Sequence, residues 1–132
     1  MMRLLLDTHV FLWMQTDPKR LGAAEHIIED DRNELLLSPA SSWEISIKWV
    51  LGKLPLPEPP ERYVPNRMRV SGVNSLAITH QHALRVGALP NHHNDPFDRL
   101  LISQSLVEGI ALVTADEALR AYDLDLVWIG AS

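Results

Sequence analysis

Apolar and polar positions follow two alternating rhythms along the chain. Leu4, Leu5 and Leu6 form a short unbroken apolar run, as a strand buried on both faces does, and Val10, Phe11, Leu12 and Trp13 begin a helix that packs back onto it. LGAAEHIIEDD (21–31) sets Leu21, Ala24, Ile27 and Ile28 at helical spacing, and ELLLSP (34–39) reads as a second buried strand. Ser41 or Ser42 then caps the helix SSWEISIKWVLGKL, which ends near Gly52. On a helical wheel Ser41, Glu44 and Lys48 form a polar stripe, and Trp43, Ile47, Val50 and Leu54 an apolar one. Residues 55–72 hold five of the nine prolines and predict a linker with at most a short helix started by Pro59 or Pro60.

The remainder continues the alternation. VNSLAI (73–78) predicts a strand, THQHALRVGAL a short helix and PNHHN (90–94) a turn. In DPFDRLLISQSLVEG the punctuation is clear, with Asp95 as cap, Pro96 at the first helical position and Gly109 as stop. IALVTADEALRAY gives strand, acidic turn and helix over 117–122, and LDLVWI a closing strand. Strands alternating with helices predict an α/β fold with a parallel sheet covered by helices. No internal repeat or low-complexity tract interrupts it.

At 132 residues and 46 % hydrophobic content the chain has room for one domain, 1–132, with a real core. It has no cysteine, which excludes disulfides and thiolate metal sites. The first apolar run is broken at Asp7, too early for a signal peptide core, and no segment approaches a membrane span, so the expectation is a cytoplasmic protein away from the membrane. Twelve Lys and Arg against seventeen Asp and Glu give a net charge of −5. That balance argues against a polyanion partner unless bound divalent cations reverse the local field.

The acids direct attention to one edge of the sheet. Asp7 ends the first strand and Asp116, in VTAD, follows the strand 111–114; in a parallel sheet both emerge at the carboxyl edge, where ligands bind in open α/β folds. Glu44 lies in the first half of the helix after the second strand and Asp98 in the first turn of the helix 96–108, so each projects from a helix start near the same edge. Four gathered carboxylates are costly unless protonated or bridged by cations. Oxygen-only ligands suit Mg²⁺ or Mn²⁺, and such an ion supports hydrolysis of a phosphodiester by an activated water. Plain structural roles exist for each acid: Asp7 and Asp116 as helix caps, Glu44 as the i,i+4 partner of Lys48. Capping accounts fully for Asp95, but Asp98 shares a face with Leu101 and Ile102, where an acid needs a partner. Asp98 is therefore the ligand candidate, with Asp95 as its cap and support.

With the acids in this order, the chain resembles a PIN domain of the VapC toxin type. LLLDTHVFLW, SPASSWEISIKWVLGKL, HHNDPFDRLLISQSLVEG and LVTAD carry the likeness over essentially the whole length. The resemblance implies a three-layer α/β/α sandwich with a short central parallel sheet, and a Mg²⁺- or Mn²⁺-dependent endoribonuclease acting as the toxin of a toxin–antitoxin pair. It further implies a homodimer and a cognate antitoxin that occupies the active-site groove. By matching motif, Asp7, Glu44, Asp98 and Asp116 are its catalytic, metal-holding acids, and Thr114 a hydroxyl near them that holds a water or a carboxylate.

Other residues carry weaker signals. His92 and His93 invite a zinc reading, but adjacent residues converge poorly and no third soft ligand is near. His9 is expected on the surface, and Trp13, Trp43, Trp49 and Trp128 in the core or a dimer contact. Arg62, Arg67 and Arg69 in the proline-rich segment could meet RNA phosphates or an acidic stretch of antitoxin, and equally could form a solvated basic loop. Two further readings stay open: a non-catalytic binding module whose acids are caps, and a Mg²⁺-dependent phosphatase with Asp7 as nucleophile. His9 stands where haloacid dehalogenase-type phosphatases carry a second Asp, which counts against the latter.

Overall fold

In a computed structural model that describes residues 1–130, five strands form one parallel sheet: β1 (Arg3–Leu6), β2 (Glu34–Leu37), β3 (Val73–Ser75), β4 (Ala111–Thr114) and β5 (Leu126–Trp128). Their order is β3-β2-β1-β4-β5. The chain therefore builds outward from β1 to one side, then crosses over and builds to the other. The switch falls between β1 and β4, whose register pairs Leu4 with Ala111 and Leu6 with Val113.

Pleating divides the leucine runs between two cores. Leu4, Leu6, Leu35 and Leu37 face one layer, with Val10 and Phe11 of α1 (Thr8–Thr16), Ile28 of α2 (Glu25–Glu29), Ile45 of α3 (Pro39–Val50) and Tyr63 and Val64 of α4 (Pro60–Ser71). Leu5, Leu36 and Leu112 face the other, with Leu101 and Ile102 of α6 (Pro96–Glu108). The short helix α5 (His80–Arg85) packs against α6. This is the expected three-layer sandwich, with strands of three or four residues.

Several local expectations change. Helix α3 starts earlier than Ser41 or Ser42: Ser38 is the cap, its Oγ accepting from the Ala40 N–H at 3.0 Å, and Pro39 takes the first helical position, where its missing N–H costs nothing. The 55–72 segment is no linker. After Pro59 it is a twelve-residue helix, α4, held by buried Tyr63 and Val64 and ended by Gly72 at φ 68°. Pro65 forfeits one helical bond, and burial of that face outweighs the loss. The predicted helix 21–31 is a 3₁₀ segment, Pro18–Ala24, kinked at Gly22 (φ 56°), before the five residues of α2. Over 117–122 the chain likewise makes a 3₁₀ turn, Glu117–Ala121.

The largest correction concerns α3. Its polar stripe faces inward, with Ser41 fully buried and Glu44 6 % exposed, whereas Trp43 is 62 % and Val50 81 % exposed. Trp43 is thus no core residue; Trp13, Trp49 and Trp128 are half-buried. Among the described residues no helix is long and apolar enough to cross a membrane.

Candidate active site

The switch point between β1 and β4 is where an open parallel sheet leaves a crevice at its carboxyl edge. Asp7 stands there as the cap of α1: Oδ1 accepts from the Thr8 N–H at 2.7 Å, and Oδ2 accepts from the Thr114 hydroxyl at 2.7 Å. Thr114 Oγ1 in turn accepts from the Asp116 N–H at 3.0 Å, so one buried hydroxyl ties the end of β1 to the acidic turn after β4. Burial pushes the Asp7 carboxyl above its ordinary range, against the opposing pull of the Thr114 and Thr8 hydrogen bonds.

Glu44 reaches the same region from α3. It is buried, and its Oε2 pairs with Lys48 Nζ at 2.8 Å. Helix α3 is tied to the start of α1 by Thr8 Oγ1, which donates to Ser41 Oγ at 2.8 Å one turn before Glu44. The Glu44 contact holds the Lys48 ammonium above its usual range, with the charges of Asp95 and Asp98 adding to it. Lys48 is thus the cation shared by this side of the group.

Asp98 completes the inner part. Asp95 caps α6, its Oδ1 accepting from the Phe97 N–H at 2.9 Å and the Asp98 N–H at 3.1 Å, which fixes the turn from which Asp98 projects. The Asp98 carboxyl is pushed up to about 8, first by burial and then by the charges of Asp7, Asp95, Asp116 and Glu44. Asp116 sits at the exposed rim, its Oδ1 accepting from the Ala118 N–H at 3.0 Å. The four acids therefore share one electrostatic region. They do not yet close on one point: among the described residues no three His, Asp or Glu side chains form a group ready to hold a metal ion. Each is drawn aside by its own partner, Thr114 for Asp7, Lys48 for Glu44 and the Ala118 N–H for Asp116. The donor set is nonetheless all oxygen and rich in unneutralised charge, which is what a hard divalent cation requires.

The arginines lie elsewhere. Arg62, Arg67 and Arg69 are strung along α4, Arg67 donating to Gln15 Oε1 at 2.9 Å and Arg69 in the last turn, beside the amino end of β3. Arg62 stands at the opposite end of α4, in its first turn.

Three contributors escaped sequence reasoning. Ser41 reads as a cap, and nothing in its spacing marks the contact with Thr8. His93 fails as a zinc ligand, yet its Nδ1 is 2.8 Å from the Tyr122 hydroxyl and its Nε2 3.5 Å from Asp98 Oδ2. Arg99 donates to the carbonyls of Pro90, His93 and Val86 and so holds the turn that carries His93. Their signal was proximity to DPFD in sequence. His9 is exposed as expected.

Comparison with known proteins adds independent information. The model of the PIN domain matches residues 4–124. Ribonuclease VapC16 of Mycobacterium tuberculosis (strain ATCC 25618 / H37Rv) is 55 % identical over 56 residues, 42 % of this chain and 40 % of that one, so the matched part spans less than half of that relative. Ribonuclease VapC22 of the same organism is 29 % identical over 123 residues, covering 92 % of this chain and 93 % of its own. In fold, the chain superposes on a crystal structure of VapBC2 from Rickettsia felis bound to a DNA fragment from their promoter. That match has a TM-score of 0.71 at 14 % identity, covering 98 % of this chain and 100 % of that one.

Proposed function

The chain belongs to the PIN domain family, and from that premise we propose that it is a divalent-metal-dependent endoribonuclease of the VapC kind, the toxin of a toxin–antitoxin pair. Asp7, Glu44, Asp98 and Asp116 are its metal-holding, catalytic acids. The observation that carries this reading is the state of Asp98: a buried carboxyl driven to about 8 by burial and by four neighbouring acids, with no arginine or lysine bonded to it. Capping explains Asp7 and Asp116, but it explains neither Glu44 nor Asp98, and an acid group of this kind is stable at neutral pH only with protons or cations.

When bound, Mg²⁺ or Mn²⁺ supplies a Lewis acid for a phosphoryl oxygen and lowers the pKa of the attacking water. The residues supply the rest. Thr114 and the Thr8 N–H hold Asp7 in one rotamer, so its orientation is set before substrate arrives. Lys48 neutralises Glu44 through its Oε2, and Glu44 is one of the acids that would hold the cation. Asp116, at the exposed rim, is the acid most open to a polymer lying across the edge. A cytoplasmic setting, a homodimer and an antitoxin over the acid edge complete the proposal. These three follow from the resemblance to VapC toxins, and the two relatives named as VapC ribonucleases support the nuclease reading.

The test is a cleavage map: purified protein with total cellular RNA in Mg²⁺ or Mn²⁺, new ends sequenced, beside an EDTA control and Asp7→Asn. Discrete ends that vanish in both controls are expected. Folded protein that yields no ends with either metal would sink the nuclease reading in favour of a binding module. A trapped aspartyl-phosphate on Asp7 would favour the phosphatase instead.

A further inference from the structure

The hydrogen-bond polarity around His93 can be followed atom by atom. Arg99 Nη1 shares its two protons among the carbonyls of Pro90 and His93 and the Tyr122 hydroxyl, 3.3 Å away, and a guanidinium only donates, so the Tyr122 oxygen accepts there. Its own proton is then free for its other neighbour, His93 Nδ1, 2.8 Å away. A ring whose Nδ1 accepts carries its proton on Nε2 when neutral. Nε2 is buried without a hydrogen-bond partner, and the carboxylate it faces is Asp98 Oδ2, at 3.5 Å. That separation is slightly too long for a hydrogen bond. The edge of the Tyr122 ring packs against both His92 and His93, with centroids 4.8 and 5.4 Å apart, so the imidazole is confined as well as bonded.

We propose that His93 is a positioning residue for Asp98: the chain Arg99–Tyr122–His93 fixes an Nε2–H donor that closes onto Oδ2 of Asp98, leaving Oδ1 as the ligand for the divalent cation. This rests on the metal-holding role given to Asp98 above. The arrangement answers two otherwise unexplained features together, a buried donor without an acceptor and a buried acid without a cation. It also gives Arg99 a purpose beyond clamping the 86–93 turn, since its charge sets which way the Tyr122 proton points. Hydrogen bonds of this kind to a ligating carboxylate fix its rotamer, and losing one typically lowers metal affinity by about 10–100-fold.

Mn²⁺ binding, followed by the EPR signal of the free ion, tests this without reference to cleavage. His93→Ala should weaken Mn²⁺ binding by about 10-fold or more. His93→Gln, whose amide N–H can replace Nε2–H, should recover most of it. Tyr122→Phe keeps the ring but removes the hydroxyl; it should weaken binding several-fold and shift the ¹⁵N resonances of His93 away from the Nε2–H tautomer expected in the unaltered protein. Wild-type Mn²⁺ affinity in His93→Ala, with Asp98→Asn deficient, would overturn the positioning role and leave the nuclease reading standing. A neutral Nδ1–H ring in the unaltered protein would overturn it equally. Absence of Mn²⁺ binding by the unaltered, folded protein would overturn both. Should His93→Ala fail to fold, Tyr122→Phe and His93→Gln decide the matter by the same two readouts.

Discussion

Helices α3 and α6 each begin with proline after a capping side chain, and each deliver one buried acid to the same edge of the sheet. They differ in what surrounds that acid. On α6 the acid shares its inward face with Leu101 and Ile102, and it has no cation of its own. On α3 the buried face sets Ser41 and Glu44 beside Ala40 and Ile45, with Lys48 bonded to the acid, while Trp43, Ile47 and Val50 face out. Glu44 is thereby neutralised within its own helix, and Asp98 depends on what comes from outside. The site is asymmetric in charge: one side holds its counterion already, the other waits for one.

The sharpest way to break that contrast is Asp98→Asn. Cleavage of RNA should fall by more than about 100-fold, because a ligand is lost with almost no change in shape. Stability should move the other way in metal-free buffer. The Asp98 carboxyl rises from its ordinary 3.8 to about 8 on folding, so the folded state binds the proton more tightly than the unfolded one. The resulting stabilisation is complete below pH 3.8 and is lost as pH climbs to about 8. Asp7, also raised, adds a slope of the same sign. Thermal melts from pH 5 to 8 should therefore show a falling Tm that Asp98→Asn flattens, with the variant ahead by about 5 °C or more at pH 8. Saturating Mg²⁺ should reverse the slope in the unaltered protein, since a cation favours the ionised carboxylate. A flat profile without metal would mean that Asp98 is not held among unneutralised acids.

The same two helices show what the sequence could convey. For α6 the cap, the proline, the buried face and the glycine stop were all local, so DPFDRLLISQSLVEG reads correctly end to end. Strands β1 and β2 were legible for a similar reason, because leucine runs buried on both faces need no alternation, whereas β3 and β5 keep only three residues each of the predicted 73–78 and LDLVWI strands. For α3 the hydrophobic pattern pointed the wrong way: it reports which face avoids water, and most of the Trp43 face stays exposed, with Phe97 packed against Trp43 alone. The five prolines of the 55–72 segment concealed α4, a helix whose stability comes from Tyr63 and Val64 rather than from propensity. The acids were found by topology, but the Thr8–Ser41 and His93–Tyr122 contacts join residues 33 and 29 positions apart, and no spacing rule reaches that far.

Substitutions on α3 measure its inversion directly. Ile45 is fully buried beneath the helix, so Ile45→Ala should cost about 3 kcal/mol in denaturant unfolding. Lys48→Met should cost about 1–2 kcal/mol without metal, because it leaves the Glu44 charge buried and unpaired, discounted for the partial exposure of Lys48. Excess Mg²⁺ should recover much of that loss by taking the place of the ammonium. A Lys48→Met protein as stable as its parent with and without Mg²⁺ would show that Glu44 is not confined to the acid group.

The smallest effects belong to the outward stripe. Trp43 is 62 % exposed, and its one aromatic neighbour is Phe97, packed edge-on with centroids 5.1 Å apart. Val50 is 81 % exposed. Trp43→Ser should therefore cost about 1 kcal/mol, mainly the Phe97 contact, and Val50→Ser under about 0.5 kcal/mol, in dilute protein. The informative variable is concentration. If the stripe stays in water, both losses are the same at low and high protein concentration. If a second copy covers it, the losses grow with concentration, because unfolding the parent then also requires separating the pair. In that outcome the apolar face of α3 has a partner after all, and its hydrophobic pattern correctly described an interface that this single chain does not contain.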